Sequence, residues 1–378
     1  MSVLKELLLW VELSQDEWFM KLAIAEAYRG KGKTLPNPAV GAVVVKEGKV
    51  IATGYHRKAG LPHAERVALE KAGREAEGST LYVTLEPCNH YGRTPPCTEA
   101  IIRAGVKRVV IGVRDPNPVA SGGVERLKEA GIEVDVGVLE SECRELIEDF
   151  VFNLKSARPF VSLKLASTLD GAIADRSGSS KWITGKEARA FVHKLRSWHN
   201  AVMVGIGTVL KDDPLLTVRE YPVESQPLAV IVDPKLKIPT NCRLVKERAS
   251  ELIVITDQSS LLTYKAGILR DLGVRLLPVF GVEGVIDLAE ALTSLKEELG
   301  VYSVLCEGGS SLAGRLLENS LVDKLYLFYA PKVLGGSDFI PLFGGSSRRL
   351  GEAFGFELFG IEVYGSDVLL KLYPRLGG

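Results

Sequence analysis

PHAERVALEKAGREAEGSTLYVTLEPCNHYGRTPPCTEAIIRAGVKRVVIGV, residues 62–113, passes from helix to strand and back again within one short stretch. Pro62 opens a helix over HAERVALEKAG, and Gly73 ends it. TLYVTLEP then reads as a strand, TEAIIRAG as a second helix and VKRVVIGV as a second strand. Upstream, Ser14 of SQDE is a predicted N-cap and Glu17 its capping-box partner, for a helix through WFMKLAIAEAYRG that stops at GKGKT. VGAVVVKEGKVIATGYH reads as a hairpin turning at Glu47-Gly48. Downstream come a helix in GGVERLKEAG, a strand in IEVDVGVL and one closing helix in ESECRELIEDFVFNLKSA. Helices alternating with strands in this way predict an α/β domain built as a three-layer α/β/α sandwich.

The pattern restarts after Arg158-Pro159, because proline disfavours continuing the preceding helix. Strands are expected near FVSLKLAS, AVMVGIG, LAVIVD, ELIVIT, VYSVLCEGG and KLYLFYAPKVL, with a final strand pair in FELFGIEVYGSDVLLKLYP. Helices are expected near GKEARAFVHKLRSWH, LAEALTSLKEEL and SLAGRLLEN. The expected parts are therefore a leading segment 1–13, a first domain 14–157 and a second α/β domain 158–378. In the leading segment Leu4, Leu7, Leu8 and Val11 recur at helical spacing, and Glu6 and Glu12 interrupt what would otherwise resemble a signal peptide.

Composition narrows the function classes. The 47 basic and 47 acidic residues cancel, which argues against a nucleic-acid binder. Five cysteines at irregular spacing, Cys88, Cys97, Cys143, Cys242 and Cys306, do not suggest a disulfide framework and fit a reducing cytoplasm. No stretch reaches the roughly 20 apolar residues that span a bilayer, so a soluble protein is expected.

The chemistry concentrates in PHAE (62–65) and TLEPCNHYGRTPPC (84–97). His63, Cys88 and Cys97 offer one imidazole and two thiolates, donors suited to Zn²⁺. Three ligands leave a fourth position for water, the mark of a catalytic zinc. His63 is expected in the first turn of its helix, Cys88 at the end of the intervening strand and Cys97 at the start of the next helix. Glu65 need not ligate, so it is free to move protons. This is the logic of zinc nucleobase deaminases. The alternative is a structural zinc closed by a fourth protein ligand, for which His90 is the obvious candidate.

NPAVGAVVV, GYHRKAGLPHAE, TLEPCNHYGRTPPC and DPNP resemble the deaminase domain of the bifunctional riboflavin-biosynthesis deaminase–reductase family. LKLASTLDG, WITG, LRSWHNAVMVGIGTVLKDDPLLTVR and EGGSSLAGRLL resemble its reductase domain, and the similarity runs in the family's order from about Asp16 to the end. The resemblance implies a cytidine-deaminase-like first domain and a dihydrofolate-reductase-like second one. It also implies two consecutive reactions. The first is hydrolytic removal of the 2-amino group from a diaminopyrimidinone bearing a phosphoribosylamino arm, and the second is NADPH-dependent reduction of that arm to ribityl.

By the same resemblance Asn37, His56, His90 and Arg93 surround the deaminase substrate. Ala166, Trp182, Thr208, Asp212 and the turn Gly309, Ser310, Ser311, Leu312, Ala313, Gly314 and Arg315 approach NADPH. Ser180, Arg196, Leu216, Arg219 and Glu307 approach the reductase substrate. Arginine suits a phosphate because it binds one bidentately. In CEGGSSLAG, glycines allow close backbone approach before a helix whose N–H groups can receive a phosphate. GIGTVL, by contrast, lacks the third glycine of a dinucleotide fingerprint. Reduction also needs a proton donor, for which Lys164, Asp170 and Glu307 are the polar candidates, unranked. Expected partners are the small-molecule substrate and further copies of the chain, as a dimer or tetramer, with neither nucleic acid nor membrane. The competing readings are a deaminase with a non-catalytic C-terminal binding domain, an RNA-editing deaminase and a zinc-stabilised scaffold.

Overall fold

The computed structural model describes residues 13–92, 95–282 and 284–375. The helix expected over the first residues, and Arg93, lie outside them. The chain parts into two units between Leu154 and Lys155.

In the first unit Ser14 caps helix α1 (Gln15–Tyr28): its Oγ accepts from the Glu17 amide at 3.2 Å, while Glu17 Oε2 accepts from the Ser14 amide at 2.8 Å. Strands β1 (Gly41–Lys46) and β2 (Lys49–Tyr55) pair antiparallel. Glu47 (φ 49°) and Gly48 (φ 74°) both take the left-handed conformation that a two-residue hairpin turn demands. Helix α2 (Ala64–Ala72), β3 (Thr80–Leu85), α3 (Cys97–Arg103), β4 (Arg108–Val113), α4 (Gly123–Glu129) and β5 (Glu133–Val136) follow. The sheet order is β2-β1-β3-β4-β5, parallel from β3 to β5.

Strand parity places helices on both faces of this sheet. A Cβ on Gly41 would meet the Ala23 carbonyl of α1 at 2.0 Å, and one on Gly54 would meet the Ala64 carbonyl of α2 at 2.4 Å. Gly54 pairs with Ala42, the neighbour of Gly41, so the two helices lie against opposite faces. The three-layer sandwich follows.

Three local expectations need correction. The closing helix is two helices, α5 (Glu140–Leu146) and α6 (Glu148–Asn153), broken at Ile147. The buried Lys31 ammonium donates to the Leu146 carbonyl at 2.7 Å and to Asp149 at 3.3 Å, which satisfies the broken end. His63 is the N-cap of α2, with extended backbone, rather than part of its first turn. The strand before Cys88 ends at Leu85; Pro87, which has no N–H to give a ladder, stands between them.

The second unit is built on nine strands: β6 (Phe160–Ser167), β7 (Ala201–Gly205), β8 (Leu228–Val232), β9 (Leu252–Asp257), β10 (Arg275–Val279), β11 (Ser303–Cys306), β12 (Lys324–Tyr329), β13 (Phe356–Tyr364) and β14 (Asp367–Pro374). Their order is β10-β9-β8-β7-β11-β6-β12-β14-β13. The first seven are parallel, and the terminal hairpin joins antiparallel. Helices α7 (Lys186–Ser197), α8 (Ile206–Asp212), α9 (Arg243–Arg248), α10 (Tyr264–Asp271), α11 (Leu288–Leu299) and α12 (Ser310–Glu318) connect them. Strand β10 and helices α8, α9 and α10 were not anticipated; the strand expected over AVMVGIG ends at Gly205, where α8 takes over. Pro278 inside RLLPV hides β10, and it is tolerated because that strand is an edge.

Candidate active sites

The first unit encloses a cavity of about 470 Å³ whose lining includes Asn37, His56, His63, Glu65, Cys88 and His90. Extended backbone at His63, just ahead of α2, turns its ring toward Cys88 and Cys97. His63 Nδ1 stands 3.6 Å from Cys88 Sγ and 3.4 Å from Cys97 Sγ, and the three donor atoms all lie within 4.8 Å of one another. Zinc–sulfur and zinc–nitrogen bonds at a tetrahedral angle would hold nitrogen and sulfur about 3.5 Å apart. The donor set therefore fits zinc in chemistry and in spacing. The hydrogen bond from Cys97, and then His63, hold the Cys88 thiol well below the usual thiol range, while sharing that bond pushes Cys97 up.

Among the described residues the ligand cluster has three members, and His90 is not one of them. His90 instead lines the cavity, with its Nδ1 buried and lacking a hydrogen-bond partner among those residues. The Glu65 carboxyl is also outside the cluster; it is 3% exposed, and burial pushes its pKa up against the pull of His63. Asn37 Nδ2 lies 3.2 Å from His56 Nε2, and His56 Nδ1 lies 3.1 Å from the Pro62 carbonyl, so His56 links Asn37 to the segment carrying His63.

The sequence reading missed Glu86. Its buried carboxylate accepts the amides of Asp115 (3.1 Å), Gly122 (3.1 Å) and Val124 (3.0 Å), which draws DPNP against the cavity so that Asp115 and Asn117 line it. The motif DPNP was the available signal, although it gave no role to either residue.

The second unit holds a cavity of about 910 Å³ at the carboxyl ends of β6, β7, β8 and β11, where open parallel sheets bind ligands. Of the expected residues, Lys164, Ala166, Ser180, Trp182, Arg196, Thr208, Asp212, Leu216, Arg219, Glu307, Gly309, Ser310, Ser311, Leu312 and Arg315 line it. Ala313 and Gly314 do not, because they sit on the packed face of α12: Ala313 is fully buried, and a Cβ on Gly314 would come 2.1 Å from the Gly344 carbonyl. Asp170 is outside the lining too. Its carboxylate accepts the amides of Leu334 (3.0 Å) and Gly335 (2.7 Å). Arg189 and Arg243, which the sequence gave no reason to single out, do line the cavity.

Arg196 grips Glu307 with two parallel hydrogen bonds, Nε–Oε1 at 2.6 Å and Nη2–Oε2 at 2.9 Å, and gives its remaining nitrogen to the Thr217 carbonyl at 2.8 Å. Burial raises the Glu307 pKa, but Arg196 and then Lys164 outweigh it, so the carboxyl is held below its ordinary value. Lys164 is pulled below the usual amine range by burial, with Glu307 opposing. The Arg219 guanidinium makes no ion pair among the described residues, and burial plus Arg196 and Arg243 lower its pKa. Trp182 is 62% exposed at the rim, its ring 4.4 Å from the Arg189 guanidinium carbon, and Asp212 pairs with Lys181 at 3.4 Å. At the start of α12 the Ser310 hydroxyl is buried without a partner among the described residues, as a cradle for a phosphate oxygen would be.

Residues 13–113 match the family model of the cytidine and deoxycytidylate deaminase zinc-binding region, and residues 159–370 match that of the RibD C-terminal domain. The riboflavin biosynthesis protein RibD of Aquifex aeolicus is 51% identical over 321 residues, spanning 85% of this chain and 88% of that protein. Its Escherichia coli counterpart is 40% identical over 375 residues, spanning 95% and 99%. Among solved structures, a diaminohydroxyphosphoribosylaminopyrimidine deaminase/5-amino-6-(5-phosphoribosylamino)uracil reductase from Thermotoga maritima superposes with a TM-score of 0.80 at 42% identity, covering 96% of this chain and 99% of that one. Acinetobacter baumannii RibD gives 0.78 at 39% identity with the same coverage.

Proposed function

The chain belongs to the family of bifunctional riboflavin-biosynthesis deaminase–reductases, and from that premise we propose which of its residues carry each reaction. The observation that carries the proposal for the first unit is a three-donor cluster with a buried, unligated carboxylate in the same cavity. His63, Cys88 and Cys97 would hold zinc, which when bound supplies the Lewis acidity that brings deprotonation of water into the neutral range. Glu65 takes the first proton of the attacking water and passes it to the ring nitrogen, then carries the remaining hydroxyl proton to the amino group, so the C–NH₂ becomes C=O and ammonia leaves. Asn37, His56 and His90 face the same space and orient the ring. Arg93 is proposed for the substrate phosphate on resemblance alone. Glu65→Gln should retain one zinc per chain by elemental analysis, lose about 10²–10⁴ in deamination rate and still reduce pre-deaminated substrate; full deamination by this variant would remove Glu65 from the role.

In the second unit NADPH supplies the hydride. Gly309, Ser310, Ser311, Leu312 and Arg315 would hold its phosphates, with Ala166, Trp182, Thr208 and Asp212 along the same wall. Lys164 is proposed as the proton donor. Glu307 is kept ionised by its bidentate arginine, and Asp170 lies outside the cavity. Arg219, which pairs with no carboxylate among the described residues, binds the substrate phosphate; Arg196 acts by orienting Glu307. Ser180 and Leu216 complete that wall.

Self-association is supported by edge strand β13, which exposes Leu358, Ile361 and Val363 and has neither lysine nor proline to discourage pairing. A cytoplasmic location is supported by five free thiols. Among the described residues no helix is long and apolar enough to cross a membrane.

A further inference from the structure

Segment 331–345 follows β12 with almost no regular structure, and most of it is solvent-exposed, so a few named bonds hold it in place. At its root the Leu169 amide donates to the Lys332 carbonyl at 2.8 Å, and the Asp170 carboxylate takes the amides of Leu334 and Gly335. Gly335 and Gly336, at φ 72° and 71°, turn the chain there. Further on, Ile340 pairs with Ala174, and the Leu342 amide donates to the Gly171 carbonyl at 2.9 Å.

The segment also touches the cavity wall at two separated points. Lys332 Nζ donates to the Trp182 carbonyl at 2.7 Å. The Gly344 amide donates to the Ser310 carbonyl at 2.9 Å, and α12 approaches Gly344 so closely that only glycine fits at 314. Between these points Ile340 supplies its own side chain to the lining.

We propose that 331–345 is a strap that sets the cofactor end of the reductase cavity, and that Asp170 is the positioning residue that anchors it. The inference rests on reading this cavity as the NADPH site. An ionised carboxylate accepting two adjacent amides forms charge-assisted bonds, stronger than neutral ones. Asp170 also accepts from Thr168 Oγ1 at 2.5 Å, which ties the anchor to the end of β6. Without the anchor the turn at Leu334 and Gly335 drifts, and the strap no longer fixes Trp182 and Ser310 together. Glu307, held by Arg196, and Lys164 on β6 keep their places.

The test is NADPH binding by fluorescence titration, with steady-state reduction of pre-deaminated substrate. Asp170→Ala should weaken NADPH about tenfold, the scale of one lost charged hydrogen bond. At saturating cofactor kcat should stay within about twofold of wild type, with the same pH profile. Asp170→Asn, which keeps an acceptor oxygen, should recover most of the affinity. Lys332→Met, which cuts the link to Trp182, should reproduce the weakening from another point. A collapse of kcat in both Asp170→Ala and Asp170→Asn would make Asp170 an acid rather than an anchor and overturn the proposal. Unchanged NADPH affinity in Asp170→Ala would overturn the strap alone. Wild-type protein that does not bind NADPH would overturn the cavity reading and the strap with it.

Discussion

Lys164 shows how far a single side chain could be read in advance. Sequence placed it on a strand beside two other polar candidates and offered no ranking. The ranking came from what the neighbours do: Arg196 occupies Glu307, and the Leu334 and Gly335 amides occupy Asp170. Those contacts join residues more than a hundred positions apart, which no local pattern reveals. A donor must carry its proton, and burial lowers the pH at which Lys164 loses it. Reduction should therefore decline as pH rises through that lowered pKa, on a limb lying below the ordinary lysine range. Lys164→Met should lose about 10²–10⁴ in kcat and abolish the limb in a pH–rate profile. A mutant that keeps the limb would assign it to another group. The convergence of His63, Cys88 and Cys97, with Glu65 in the same cavity, was legible from residue type and spacing, because donor chemistry restricts which side chains can cluster in this way.

Elements with local causes were equally legible. The Ser14–Glu17 capping box and the Glu47-Gly48 turn are chemistry between residues a few positions apart, and both stand where the sequence put them. What escaped was decided by packing. The break at Ile147 depends on Lys31 reaching the Leu146 carbonyl, and β10 depends on Pro278 finding an edge. Gly54 links element packing to chemistry, since its missing side chain lets α2, which begins directly after His63 and carries Glu65, lie flat on β2. Gly54→Ala should lower stability by about 1–3 kcal/mol and lower the zinc retained during dialysis against a chelator. Unfolding and metal content measured on the same preparation check this; a stable variant with full zinc would show that α2 has room to spare.

At the scale of the whole molecule, two units each hold their own cavity and their own chemistry. If β13 is the surface through which copies associate, Ile361→Lys should give monomers in sedimentation while each activity is retained in some measure. Unchanged assembly would send the interface elsewhere. The division of labour itself has a direct test: incubate the zinc-loaded chain with the diaminopyrimidine substrate, with and without NADPH, and follow products by mass spectrometry. The account predicts deaminated ribosyl product alone without NADPH, deaminated ribityl product with it, and neither from Glu65→Gln. Deamination that survives in Glu65→Gln, or a deaminated product that NADPH leaves unreduced, would contradict it.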